Sequence, residues 1–274
     1  MTRSFDKELL MQEYQELGSL RKISAKYYID RKTILKLCKL YNIEVSHVKG
    51  AKYKYSYNED FFTQETEEVF YLAGFIAADG CVTDLDNKGR SRMLIINLQT
   101  GDTDHLEKIK KLLNSDHPIK DHRIHREINK YNLNPTWMSS FRVCISEKFF
   151  NDLAKFNIIP HKSLTYTWPE WLKNHPMKHH FIRGYNDGDG CFSMQKSKQL
   201  IFSLVGAKSF LLDIHKSFEE ECIGIKTNKK LTPYKNIYAL KYCGNGIVGK
   251  ISKYLYEDAT IYLDRKKNTI NHLL

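Results

Sequence analysis

Two stretches decide how this chain is read: YLAGFIAADGCV at Tyr71–Val82 and FIRGYNDGDGCF at Phe181–Phe192. They match in pattern, with Asp79 and Asp189 lying 110 residues apart, and the cysteines that follow, Cys81 and Cys191, correspond as well. A match at this spacing, the size of one small α/β unit, marks a duplicated building block. Each stretch reads as a helix closing in Asp-Gly. Ala73, Gly74, Ala77 and Ala78 in the first, and Gly184 and Gly188 in the second, put small residues on one helix face. Two such helices can approach backbone to backbone. Gly80 and Gly190 are expected to supply the left-handed turn that stops each helix.

Asp79 and Asp189 then fall in the last helical turn, where the macrodipole disfavours an anion. If the helices pair, two carboxylates face each other, with repulsion of about a few kcal/mol at an effective dielectric near ~20. A cation or a proton must relieve it. Oxygen ligands that leave room for waters suit Mg²⁺, with Mn²⁺ as a substitute. A single Asp-Gly is a common turn dipeptide. Two of them, at equivalent places in a duplicated unit, point to a shared metal site.

Outward from each motif the chain follows the same course. In the first copy, strands are expected at 81–85 and 92–98, a helix at 102–113, strands at 118–126 and 137–145, and a helix at 147–156. The second copy gives strands at 191–196 and 200–205, a helix at 208–221, strands at 225–231 and 237–243, and a helix at 247–256. Both halves read as αββαββα, an α+β fold. The predicted organisation is repeat 1 at 65–165, an inter-repeat linker at 166–178 with Pro169 and Pro176, and repeat 2 at 179–274.

Before the repeats, residues 1–48 read as three short helices. Ser19 caps the second, and the third, Arg31 to about Tyr41, offers Ile34, Leu35, Leu37, Cys38 and Leu40 for packing. Its other face carries Arg31, Lys32, Thr33, Lys36 and Lys39, as in a helix-turn-helix DNA-binding unit; a helical cap on the main domain is the alternative. Residues 49–64 form a basic, Tyr-rich linker.

The chain has 274 residues and a net charge of +11, with 43 Lys and Arg against 32 Asp and Glu. Such an excess favours a polyanionic partner, nucleic acid above all. The six cysteines form no C-x-x-C pair or zinc-finger spacing, which fits a reducing compartment, and the N-terminus lacks the apolar run of a signal peptide. The expectation is a cytoplasmic protein that does not enter a membrane. The start at Met and a helical module argues for a free-standing or intron-borne gene rather than an excised intein.

Leu72–Gly80 and Ile182–Gly190 resemble the two motifs of a single-chain LAGLIDADG homing endonuclease. The resemblance covers residues 65–274. It implies two pseudo-symmetric repeats whose curved sheets form a saddle over double-stranded DNA, cut by a monomer at a long asymmetric target. By resemblance Asp79 and Asp189 are the metal-binding catalytic acids, with any part of the backbone at Ala78 left unassigned. The earlier acid of the motif is Ala77 in the first copy and Asp187 in the second, and Arg183 departs from the namesake pattern. The family's lysine after the last helix of each half falls on Lys162 and on Lys266, with Lys267 as the alternative register. Gln99 is a candidate for ordering attacking water.

Strand-borne residues available to DNA are Arg90, Arg92, Lys120, His122, Arg123, Arg126, Arg142, Gln195, Lys196, Lys198, Lys229, Lys230 and Lys241. Alternation lets only about half of them face a groove. Two readings remain open: a metal-dependent endonuclease, and an RNA-splicing maturase or non-cleaving DNA-binding regulator on the same fold.

Overall fold

The computed structural model describes residues 6–43, 54–85, 91–124, 136–222 and 230–274, and the chain divides into two compact units, Met1–Lys54 and Tyr55–Leu274. The smaller holds α1 (Lys7–Leu17), α2 (Leu20–Tyr27) and α3 (Arg31–Leu40). Short polar side chains start each helix: Asp6 accepts from Leu9 N, Ser19 from Arg21 N and Asp30 from Lys32 N. Leu10, Leu20, Ile23, Ile34 and Cys38 form its core. The buried Glu13 carboxylate accepts from Lys26 Nζ at 2.7 Å and from Tyr27 OH at 2.5 Å, tying α1 to α2. Leu40, expected to pack, is exposed. It lies two residues past Cys38, about 200° around the helix from the buried stripe.

In the larger unit the first repeat runs α4 (Glu67–Asp79), β1 (Gly80–Val82), β2 (Arg92–Gln99), α5 (Thr103–Leu112), β3 (Ile119–Ile124), β4 (Thr136–Ile145) and α6 (Glu147–Lys155). The second runs α7 (Lys178–Asp189), β5 (Gly190–Met194), β6 (Leu200–Gly206), α8 (Lys208–Glu221), β7 (Thr232–Tyr234), β8 (Ile237–Cys243) and α9 (Asn245–Tyr256), and then adds α10 (Asp264–Ile270). Each repeat contributes one antiparallel four-stranded sheet, in the orders β1-β2-β4-β3 and β5-β6-β8-β7. The strand expected at 225–231 lies mostly outside the described residues, and β7 is a short pairing just beyond it. Helix α10 was not expected from the sequence: DRKKNTI carries no apolar period. Among the described residues no helix is long and apolar enough to cross a membrane.

Helices α4 and α7 pack against each other at the centre. Every residue from Val69 to Ala77 and from His180 to Asp187 is buried, so both helices are covered on all sides. Gly74 and Gly184 fix the crossing. A Cβ on Gly74 would lie 2.0 Å from Phe181 O, and one on Gly184 would lie 1.9 Å from Tyr71 O. Nothing larger than hydrogen fits at either position.

Gly80 and Gly190 do not make the expected left-handed turn. Both are extended, at φ −83° and −97°. Glycine is needed there because the strand leaves the helix at once and folds back over its last turn. A Cβ on Gly80 would meet Ile76 Cα at 2.8 Å, and one on Gly190 would meet Asn186 O at 2.6 Å.

The second motif carries polar residues into this core, and Arg183 and Asp187 are fully partnered there. Arg183, 1% exposed, donates to Ile261 O, Leu255 O and the Glu67 carboxylate, the last at 2.5 Å. Glu67 in turn accepts from Thr260 N and Ile261 N. The Asp187 carboxylate accepts from Tyr71 OH at 2.8 Å, Tyr256 OH at 2.5 Å and Leu263 N at 2.7 Å. These bonds tie α4 of repeat 1 to the C-terminal segment of repeat 2, which accounts for the departure at Arg183 and for the acid retained at Asp187.

The glycines set up a direct test by thermal or urea unfolding. Gly184→Ala forces a methyl onto a backbone carbonyl and is expected to cost about 3 kcal/mol or more. Gly249→Ala, in α9 with open space around its Cβ position, is expected to stabilise by about 0.5–1 kcal/mol. Equal tolerance of the two alanines would contradict the close helix contact.

Candidate active site and nucleic-acid face

Asp79 and Asp189 are the last residues of α4 and α7. Gly188 lets the two helix ends touch: a Cβ there would lie 2.4 Å from Ala78 Cβ and 3.4 Å from Asp79 Cγ. The Asp79 carboxyl therefore sits against the last turn of α7, one residue before Asp189. Burial, and then the charge of Asp79, push Asp189 up to about 6, with Lys162 and Lys266 opposing. Asp79 is also raised, first by the protein crowded around it, while Lys266, Arg265 and Lys162 pull it back. Its side chain stays exposed and that of Asp189 is half-buried, so both remain open to a ligand.

The lysines lie directly beneath. Lys162, 5% exposed, donates from Nζ to Gly80 O at 2.7 Å. Lys266, 4% exposed, donates to Asn186 O at 2.6 Å, Asp187 O at 2.6 Å and Gly188 O at 3.2 Å. A helix C-terminus leaves carbonyls without intrahelical donors, and Lys266 satisfies those of α7. Burial lowers both ammonium groups, Lys266 to about 8, with Asp187 holding Lys266 up and Asp189 holding up Lys162. Lys267, the alternative register, lies over the Tyr262 ring, 3.9 Å from its centroid.

Gln99 is less closely engaged. It ends β2, exposed and opposite Met138, three residues beyond Ile96, the partner of Gly80. That is about 10 Å along the strand. The position matching it in repeat 2 is Ala207, because Leu204 partners Gly190 as Ile96 partners Gly80. Two residues that the sequence did not single out reach the acids instead. The charges of Arg265 and Asp102 both act on Asp79. No pattern in the sequence marks either one.

Strand register sorts the candidate DNA contacts. Lys120 lies opposite Ser140, His122 opposite Met138, and Arg142 opposite Ile95, so these side chains share the sheet face away from the helices. In the second sheet Lys241 lies opposite Ser203, on the face with Cys191. Gln195, Lys196 and Lys198 are exposed at the β5–β6 turn, and Lys230 is exposed before β7. Two members of the pool take the other parity. Arg92 pairs with Glu147 at 2.9 Å and stacks over Phe150 at 4.0 Å, and Arg123 lies opposite Trp137 in register with Asp121 and Ile119. Arg90, Arg126 and Lys229 lie outside the described residues. In the smaller unit Arg31, Lys32 and Lys36 are exposed along α3.

The donor set fits a hard divalent cation. Two carboxylates of close approach, both raised above the usual carboxylate range, offer oxygen ligands and negative charge for a cation to neutralise. Among the described residues no group of three or more His, Cys, Asp and Glu could hold a metal ion by itself. Water and phosphate oxygens would have to complete the shell.

No family model and no curated protein matches the sequence. Solved structures do. The homing endonuclease I-WcaI bound to its DNA recognition sequence superposes with a TM-score of 0.53 at 16% identity, covering 77% of this chain and 91% of that one. The chain has the LAGLIDADG homing-endonuclease fold. The LAGLIDADG meganuclease I-AabMI bound to uncleaved DNA matches with a TM-score of 0.47 at 18% identity, over 73% of this chain and 87% of that one. I-SmaMI bound to cleaved DNA matches at 0.48 and 14%, over 76% and 87%.

The raised carboxyl has a thermodynamic consequence for the metal-free protein. Asp189 ionises near 3.8 when unfolded and near 6 when folded, so its native state holds a proton more tightly. The stability this gives is present below the unfolded value and lost as pH rises through 6. Asp189→Asn is therefore expected to raise the melting temperature at pH 8, with the gain shrinking as pH falls from 6 to 4. A gain independent of pH would remove the charge explanation.

Proposed function

We propose that the protein is a site-specific endonuclease that hydrolyses a phosphodiester in each strand of a long, asymmetric DNA duplex. It would use a divalent metal, Mg²⁺ by preference with Mn²⁺ able to replace it. The observation that carries this reading is the meeting of Asp79 and Asp189 at the Gly188 contact, each beside a buried lysine and at the root of a basic sheet face. The fold adds a prior by analogy, since I-WcaI is a homing endonuclease bound to its DNA recognition sequence. Both acids come from one chain, so a monomer suffices.

In this reading the exposed sheet faces receive the duplex. Lys120, Arg142 and Lys241 meet phosphates or base edges, and Lys196 and Lys198 extend the contact at a hairpin tip. Asp79 and Asp189 would hold the metal. When bound, the metal supplies positive charge to the phosphoryl oxygens and acidifies coordinated water. Lys162 and Lys266, fixed by backbone carbonyls, add positive potential where the transition state gains negative charge. Through Arg31, Lys32 and Lys36, α3 would add DNA contacts of its own, as the recognition helix of a helix-turn-helix does.

The test uses a duplex that joins the sequences flanking the protein's own gene. Wild type with Mg²⁺ is expected to make one discrete double-strand cut, and with Ca²⁺ to bind without cutting. Asp79→Asn and Asp189→Asn are each expected to abolish the double-strand cut while keeping affinity within about tenfold. Tight binding by wild type with no cut in any metal would sink the endonuclease reading and leave a maturase or regulator.

Salt titration separates the two DNA-contacting surfaces. Lys120→Ala, Arg142→Ala and Lys241→Ala, and likewise Lys32→Ala and Lys36→Ala in α3, are each expected to reduce the slope of log affinity against log salt by about 1. Slopes unchanged by the α3 variants would restrict the DNA face to the repeats.

A further inference from the structure

The two repeats hold their lysines differently. Lys162 donates to one carbonyl, and the residue before it, His161, sits in the left-handed region at φ 61° and pairs with Asp84 of the same repeat at 2.8 Å. That pair is open to solvent, with the two side chains 87% and 66% exposed. Lys266 donates to three carbonyls, and the two residues before it are tied to the other repeat. Arg265 Nε donates to both Asp102 carboxylate oxygens, at 3.0 and 2.9 Å. Lys108 Nζ donates to both oxygens of Asp264, at 2.8 Å each.

Asp102 lies between the end of β2 and the first residue of α5, on the framework of repeat 1. Its side chain is 13% exposed and that of Arg265 58%, so the carboxylate end of the pair is shielded while the guanidinium end faces solvent. Arg265 also acts electrostatically on Asp79 and on Lys266. Asp79, Lys266, Arg265 and Asp102 thus form one cluster across the repeat boundary. Around Asp189 the charges that act are Asp79, Lys162 and Lys266.

Resting on the endonuclease reading above, we propose that Asp102 and Arg265 are positioning residues for the half of the site formed by Asp79 and Lys266. Their pair fixes the start of α10 against repeat 1 and holds the Lys266 ammonium under the end of α7. Among the described residues, the half formed by Asp189 and Lys162 has the exposed His161–Asp84 pair beside its lysine in place of such a clamp. The two strands are therefore cut by unequally organised halves, and loss of the clamp impairs one strand.

The experiment follows each strand separately, on the duplex that joins the flanking sequences, with both ends labelled. Lys266→Met identifies the strand that depends on Lys266. Asp102→Asn and Arg265→Met are expected to slow that same strand by about tenfold, leave the other within about twofold, and accumulate nicked duplex. Their double variant should be no slower than the worse single, and Asp102→Glu should restore most of the rate. Equal slowing of both strands, or no slowing, overturns the proposal.

A second measurement does not need cleavage. Amine-reactive labelling at pH 8, read by mass spectrometry, should show Lys266 protected in wild type and exposed in Asp102→Asn, with Lys162 unchanged. Labelling of both lysines alike, or of neither, also overturns it. A wild type that fails to cut while Lys266 labelling still responds would count against the endonuclease reading and leave the clamp standing.

Discussion

The contact between Gly74 and Gly184 is the constraint on which the rest of the larger unit depends. With each α-carbon against a carbonyl of the facing helix, α4 and α7 meet backbone to backbone. Their C-terminal ends then lie side by side, and Gly188 continues the close approach as far as Ala78 and Asp79. Because β1 and β5 begin at the residue after each acid, the same contact also sets where the two sheets start. One steric fact therefore positions the acids relative to each other and the sheets relative to the acids.

Helices so placed are covered on every side, and the two repeats meet that demand differently. The first motif is apolar from Val69 to Ala77. The second carries Arg183, Asn186 and Asp187 into the same core, and burying such groups is tolerable only with full partners. Glu67, Tyr71, Tyr256 and the backbone at 255, 261 and 263 provide them for Arg183 and Asp187, while Asn186 donates from Nδ2 to Tyr256 OH and its Oδ1 is left without a partner among the described residues. The polar second motif thus requires the C-terminal segment to close over it. That segment also delivers Arg265 and Lys266, so the asymmetry of the core becomes an asymmetry of the site.

Much of this was legible in the sequence because repetition and periodicity report local rules. Helix α8 and strand β8 fall where the apolar pattern puts them, and the Asp-Gly pairs locate both acids. The rest depends on long-range geometry. Whether Gly80 turns left-handed or simply makes room depends on the path of the next strand. Arg92 and Arg123 look like groove residues until strand register assigns them the other parity. Helix α10 is held by Asp264 and Arg265 pairing with residues more than a hundred positions earlier, and no local pattern could announce it.

The lysines also bear on why the acids stay available. An ammonium carries three donors. At Lys266 the carbonyls of Asn186, Asp187 and Gly188 match them one to one, so the cation is anchored to the backbone. It lends positive potential to Asp79 and Asp189 without having a donor left to bind either carboxylate. The helix end gains a cap that offsets its negative dipole. The carboxylates meanwhile keep their mutual repulsion, which adds to the effect of burial in pushing Asp189 up to about 6. A direct lysine–aspartate pair would stabilise the resting protein and block the site. Anchoring the lysine to carbonyls leaves the negative charge in place, which a divalent cation bound as proposed would neutralise.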